Sequence, residues 1–252
     1  MNIQLSTLFL FLSICFTHAQ NTNKNFYSEI GNYDISKIIN AASFSNYEEP
    51  EVIIQRPEPI GYIGEDYQRF YIHFTKIERS VKNPYEYTIE GKTMVKNNIR
   101  SFKGTLSVTQ SEIFKNIDLP NVWEGYALCK AEFKEDSKLS ATGVFKGELK
   151  VKFIWDQKKG IEYNSLSSYA DSFHNNQFKG TWTSFKTHQS KKVRFGDFRI
   201  PDSGNLDMGA GEFSPDPKYW DKGWKYYILN LAGETEKDYE LGKKMEKRQW
   251  WK

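Results

Sequence analysis

A five-residue phrase is written three times along this chain: Phe102-Lys103-Gly104-Thr105-Leu106, Phe145-Lys146-Gly147-Glu148-Leu149 and Phe178-Lys179-Gly180-Thr181-Trp182. In each copy the Phe, the Gly and the Leu or Trp stand two residues apart. An extended chain therefore places them on one face, and Lys with its Thr or Glu on the other. Glycine on the apolar face removes a side chain, which lets the strand coil or a bulky neighbour cross it. Strands of this kind build a curved antiparallel sheet with one apolar face.

The same alternation recurs on both sides of the repeats. Phe70, Ile72 and Phe74 alternate with Arg69, Tyr71 and His73, and Tyr85, Tyr87 and Ile89 alternate with Glu86, Thr88 and Glu90 after the Asn83-Pro84 turn. Over Val144–Trp155, Phe145, Gly147, Leu149, Val151, Phe153 and Trp155 face one way, and Asp156–Gly160 makes a turn. Gly125–Phe133, Phe178–Phe185 and Val193–Ile200 complete the set. Regularly spaced strands with no helices between them predict a mainly β protein, an antiparallel meander curled into a barrel or a sandwich. The aromatic share of 16%, with 18 Phe, 15 Tyr and 7 Trp, suits such an interior.

The two ends of the chain read differently. Thr7–Phe16 is almost purely apolar and Thr17-His18-Ala19 ends in a small residue, so residues 1–19 read as a secretory signal peptide that leaves Gln20 at the mature N-terminus. The expected destination is periplasmic or extracellular. A lipid on Cys15 is the competing fate; Ile14 before it is larger than that modification wants. Residues 20–50 form a polar, asparagine-rich surface segment with a short helix over Asp34–Ala42, whose Ile35, Ile38 and Ile39 share a face. The β domain occupies 51–233, opening on a short strand at Glu51–Ile54. Residues 234–252 read as a C-terminal helix, acidic early and basic late as the helix dipole favours.

Charge and cysteine content narrow the function classes. A net charge of +3, spread along the chain, does not suggest a nucleic-acid groove. No later segment is long and apolar enough to span a bilayer. Cleavage would leave Cys129 alone, without an internal disulfide; it alternates with Ala and Phe and reads as a small buried hydrophobe.

Several phrases resemble a group of secreted bacterial β-rich proteins of similar length: Gly61–Tyr67, Val95–Ile99, Asn175–Trp182, Gly196–Pro201 and Gly209–Ser214. That likeness carries no activity with it. Gly180-Thr181-Trp182 is similar to the Gly-x-Trp of lipocalin- and avidin-like barrels. There it lies near the chain start, and here it is late, so the analogy is architectural.

No motif points to a cofactor or a metal. His73, His174 and His188 stand at no metal-ligand spacing, and there is no nucleophile elbow or phosphate loop. Gly196–Trp224 gathers Asp197, Arg199, Asp202, Asn205, Asp207, Glu212 and Asp216 among glycines, which allows a cation loop or ordinary Asx-turns. The function expected is a non-catalytic binding protein for a small apolar ligand, a glycan or a surface protein. The alternative is a hydrolase without a recognisable motif. The expected ligand-binding residues are Arg199, Trp220 and Trp224, where the Gly196–Trp224 loop folds over one end of the sheet; the same rings would otherwise serve as a plug.

Overall fold

The computed structural model describes residues 23–116, 119 and 121–252. The expected signal peptide and Cys15 lie outside the described residues. The chain runs β1 Lys24–Asn25, α1 Tyr27–Ile30, α2 Ser36–Ile39, β2 Ser43–Ser45, β3 Ile53–Gln55 and β4 Ile60–Ile63. The long strands follow: β5 Gln68–Arg79, β6 Glu86–Val95, β7 Asn98–Lys115, β8 Trp123–Glu135 and β9 Gly143–Asp156. Then come β10 Gly160–Tyr163, β11 Asn175–Ser184, β12 Ser190–Asp197, α3 Lys225–Ala232 and α4 Glu236–Glu246. Short 3-10 turns at Gly204–Leu206 and Pro217–Lys222 interrupt the segment between β12 and α3.

Strands β4 to β9 pair in chain order, β11 pairs with β9 and β12, and β12 returns to β4 through Val193–Ile63 to Gly196–Ile60. The eight strands so joined form a closed antiparallel ring, a barrel whose strands are all paired on both sides.

The threefold phrase explains how the barrel is filled. Phe102, Leu106, Phe145, Leu149 and Phe178 are buried in one core cluster, with Trp182 partly buried against it. A side chain at Gly104 would lie 2.5 Å from the Phe133 Cα, and one at Gly147 would lie 2.6 Å from the Gly180 Cα. The glycines make room for neighbouring rings. Phe133 sits 4.8 Å from Phe102, 4.7 Å from Phe145 and 5.9 Å from Phe178, and Phe178 sits 4.7 Å from Phe195. An eight-stranded barrel is just wide enough for side chains to fill. Cys129 is buried in this core, and burial pushes its thiol up to about 12.

The segment before β4 differs from the expected surface stretch. Phe26, Ile30, Ile35, Ile38 and Ile39 are all buried in the barrel core, so α1 and α2 close the end of the barrel opposite the β4–β5, β6–β7, β8–β9 and β11–β12 turns. Most of its polar residues face out while the four isoleucines and Phe26 supply the plug. Arg56 ties this arm down through Asp197, which is wholly buried. Its carboxylate accepts from Arg56 Nε (2.8 Å) and Nη2 (2.9 Å), Tyr163 Oη (3.0 Å) and Asn176 Nδ2 (2.7 Å).

The Gly196–Trp224 segment also lies elsewhere than expected. It packs on the outer wall, not across an end. Ile60 and Tyr62 point outward from β4 and form a second cluster with Ile200, Leu206, Phe213 and Trp224. The short β4 is thus buried on both faces. The helix expected over 234–252 is present as α4, capped by Thr235 Oγ1 accepting from the Asp238 amide at 3.2 Å.

Candidate functional site

The site grows from the outward face of β5. There Arg69, Tyr71 and His73 occupy the alternate positions to Phe70, Ile72 and Phe74, and the C-terminal segment lies over all three. A side chain on Gly242 would collide with Leu229 and Asn230, so glycine lets α3 and α4 pack closely. That pairing carries Glu246 and the following tryptophans back to the barrel wall. Glu246 Oε2 accepts from Arg69 Nη2 at 3.1 Å. Trp250 meets Tyr71 edge-on at 6.0 Å, and Trp251 stacks on His73 at 3.9 Å. His73 Nδ1 lies 2.9 Å from Glu58 Oε2, and Lys92 Nζ donates to the Trp251 carbonyl at 2.5 Å.

Arg69 is the unusual member. Its side chain is 3% exposed, and its guanidinium lies against the rings of Trp224 (4.3 Å), Tyr71 (4.7 Å) and Tyr227 (4.9 Å). Cation–π attraction of this kind is worth about 0.5–2 kcal/mol per contact, more when desolvated. Nη2 meets Glu246, while Nε and Nη1 have no hydrogen-bond partner among the described residues. Burial holds the Tyr71 and Tyr227 hydroxyls in their neutral form, with their pKa values raised.

Between the C-terminal segment and the loops of 168–173 and 198–213 runs a groove of about 950 Å³. Tyr71, Tyr227, Trp250 and Trp251 line it from the β5 and C-terminal side, and Tyr169, Phe173 and Phe198 from the loops. Its charged lining is balanced: Arg56, Arg69, Arg199 and Lys247 against Glu58, Asp171, Glu212 and Glu246, four of each sign. Tyr169 is 67% exposed, and Trp250 and Trp251 are half-buried.

The three residues expected from sequence fall in three different places. Arg199 lines the groove, but its donors are engaged by Asp207 Oδ2 (2.8 Å), the carbonyls of Gly209 (2.6 Å) and Gly211 (2.8 Å) and Ser172 Oγ (3.1 Å). It holds the glycine-rich loop in shape. Trp224 is fully buried behind the groove, where its ring supports Arg69 and its Nε1 donates to the Tyr67 carbonyl at 2.8 Å. Trp220 is half-buried on the Pro217–Lys222 turn, away from the groove lining, with Lys225 Nζ 5.6 Å from its ring centre.

Four carboxylates of the Gly196–Trp224 loop, Asp197, Asp202, Asp207 and Asp216, have partners within the protein. Asp207 Oδ1 accepts from the Gly209 and Ser214 amides, Asp202 pairs with Lys179 and Arg194, and Asp216 caps its turn. Among the described residues no group of three or more His, Cys, Asp or Glu is placed to hold a metal ion. No helix among them is long and apolar enough to cross a membrane.

A smaller cavity of about 210 Å³ opens at the unplugged end of the barrel. At its base Glu135 accepts from Thr93 Oγ1 (2.7 Å), the Gly143 amide (2.9 Å) and Trp182 Nε1 (3.0 Å). Below this the interior is taken up by the phenylalanine rings.

The sequence reading missed Arg69, Tyr71 and the Trp250–Trp251 pair. A signal for the first two was present: the polar face of β5 reads Arg-Tyr-His, where the next strand, β6, places Glu, Thr and Lys. An aromatic on that face marks a wall that something covers. No protein-family model matches the chain, and no curated protein or solved structure shows a significant likeness to it.

Proposed function

We propose that the protein is an exported binding protein that holds a glycan in the outer groove. One observation carries this reading: an open groove lined by aromatic rings and by charged groups of both signs in equal number, on the outside of a barrel whose interior is filled. Sugar rings offer C–H faces that pack on Trp and Tyr, and hydroxyls that both donate and accept. A balanced lining suits such a ligand better than a lone anion or an acyl chain, which favour one charge sign or a continuous apolar wall. Tyr71, Trp250 and Tyr169 supply the rings. Glu58, Glu212 and Asn230 supply acceptors and donors.

The test is calorimetric titration of the purified protein with a panel of neutral and acidic oligosaccharides, and with fatty acids as the contrast. Binding should appear with an oligosaccharide, and Tyr71→Ala and Trp250→Ala should each weaken it by tenfold or more while melting as folded proteins. Binding of fatty acids alone, or glycan binding untouched by both substitutions, would sink the reading. The carboxylates in the groove, Glu58, Asp171, Glu212 and Glu246, favour one second reading, hydrolysis of the bound chain. New reducing ends appearing in the same mixtures would establish it.

A further inference from the structure

A separate cavity of about 240 Å³ lies on the outer wall beside β9, under residues 164–174. β9 sends Lys152 into it, half-buried. The backbone of Lys152 is clamped by one side chain: its amide donates to Asn175 Oδ1 at 2.8 Å and its carbonyl accepts from Asn175 Nδ2 at 3.0 Å. The position of the amine is therefore set at its root.

The amine faces an imidazole. Lys152 Nζ lies 2.7 Å from His174 Nε2, and His174 Nδ1 lies 2.7 Å from the Ser172 carbonyl. A carbonyl only accepts, so Nδ1 carries the hydrogen and Nε2 turns its lone pair to the amine. Burial holds His174 below its ordinary pKa, in the neutral form this arrangement needs. Glu124, an acid of the lining, is occupied: it accepts from Asn116 Nδ2 at 2.8 Å and Asn164 Nδ2 at 3.0 Å. Among the described residues Lys152 forms no ion pair with a carboxylate. Other charges that face the pair are Lys150 on the same strand, Asp171 in the loop and Arg199 beyond His174.

We propose that Lys152 is a carbonyl-trapping amine, which forms an imine with a small aldehyde in this cavity while His174 carries the proton. Nζ attacks the carbonyl carbon, a C–N bond forms, and the π pair moves to oxygen, which takes up the first of the two Nζ protons to give a neutral carbinolamine. His174 Nε2 accepts a proton from Nζ and returns it to the hydroxyl, which leaves as water as the C=N bond forms. Amine and aldehyde become imine and water, and no oxidant or reductant enters. The cavity holds the volume of about eight waters, so it admits an aldehyde of only a few carbons.

Burial, with Lys150 adding to it, lowers the Lys152 pKa from 10.5 to about 8. At pH 7.5 roughly a quarter of the amine is then neutral, against about 0.1% of an ordinary lysine. The experiment treats the whole protein with propanal and cyanoborohydride, then maps the propylated peptides. Lys152 should be modified about tenfold or more faster than the typical lysine at pH 7.5. The ratio should fall to about two near pH 10.5, where an ordinary lysine is half deprotonated. His174→Gln, which keeps an acceptor near the amine but no proton carrier, should slow modification at Lys152 without moving the melting temperature. Even labelling across the lysines, or a fast adduct that survives Lys152→Arg, would overturn the proposal; the wild-type map decides the matter even if the variants fold poorly.

Discussion

At the scale of single residues, the protein is governed by what glycine leaves empty and what phenylalanine fills. Phe145 lies 4.7 Å from Phe133 and 5.6 Å from Phe70, with 1% of its surface exposed. It faces Gly147 two residues on, where the backbone leaves no room for a compensating side chain. Phe145→Ala should therefore cost about 3–5 kcal/mol, read as a lower midpoint in urea at an unchanged slope. A loss under about 1 kcal/mol would mean the neighbouring rings collapse into the space. The inward residues of the three repeats were legible in the sequence because a period of two leaves only one choice of face. Arg69 was not. Its burial is caused by Trp224, Tyr227 and Glu246, which are more than 150 residues away along the chain, and no local pattern records that distance.

At the scale of elements, the two terminal segments do opposite work. The α1–α2 arm enters the core through Phe26 and its four isoleucines, whereas α3 and α4 stay outside and build one wall of the groove. The sequence showed the isoleucine stripe of α2, but periodicity shows only that a face is apolar, not what covers it. The same limit hid the groove: the acidic-to-basic run that marks α4 says nothing of where Trp250 and Trp251 will land. The core cluster contains no residue of α3 or α4. Removing residues 234–252 should accordingly leave a cooperative thermal transition and the β-type circular dichroism, while abolishing glycan binding. In that truncation Arg69 loses Glu246 and keeps the rings of Tyr71, Trp224 and Tyr227 against its guanidinium. Collapse of the barrel on truncation would assign the helices a structural task instead.

At the scale of the whole molecule, the ring is made mostly of hairpins between neighbours in sequence; β11 reaches β9 past the short β10, and one pairing joins the two ends of the ring. β4 and β12 meet across about 130 residues of chain, and such long-range closure is entropically the slowest to form. The seam consists of four residue pairs, from Val193–Ile63 to Gly196–Ile60, while β7 and β8 pair over most of their length. Amides in β4 should exchange with deuterium faster than those at the centres of β7 and β8. Equal protection along the ring would contradict this. Alternation and turn signals foretold the strands but not the closure, since a barrel and a sandwich share both and differ only in whether the first and last strands meet.

Those four pairs also decide what the protein looks like when it fails. With the seam parted, two strand edges lie bare, each able to accept a strand from another molecule. Ile60 and Tyr62 lose the cover of the outer cluster in the same event, since they ride on the same short strand. A stressed population of this protein would exchange β4 between copies or stack edge to edge. The short closing strand is thus both the latch of the monomer and the address at which one chain would mistake another for itself.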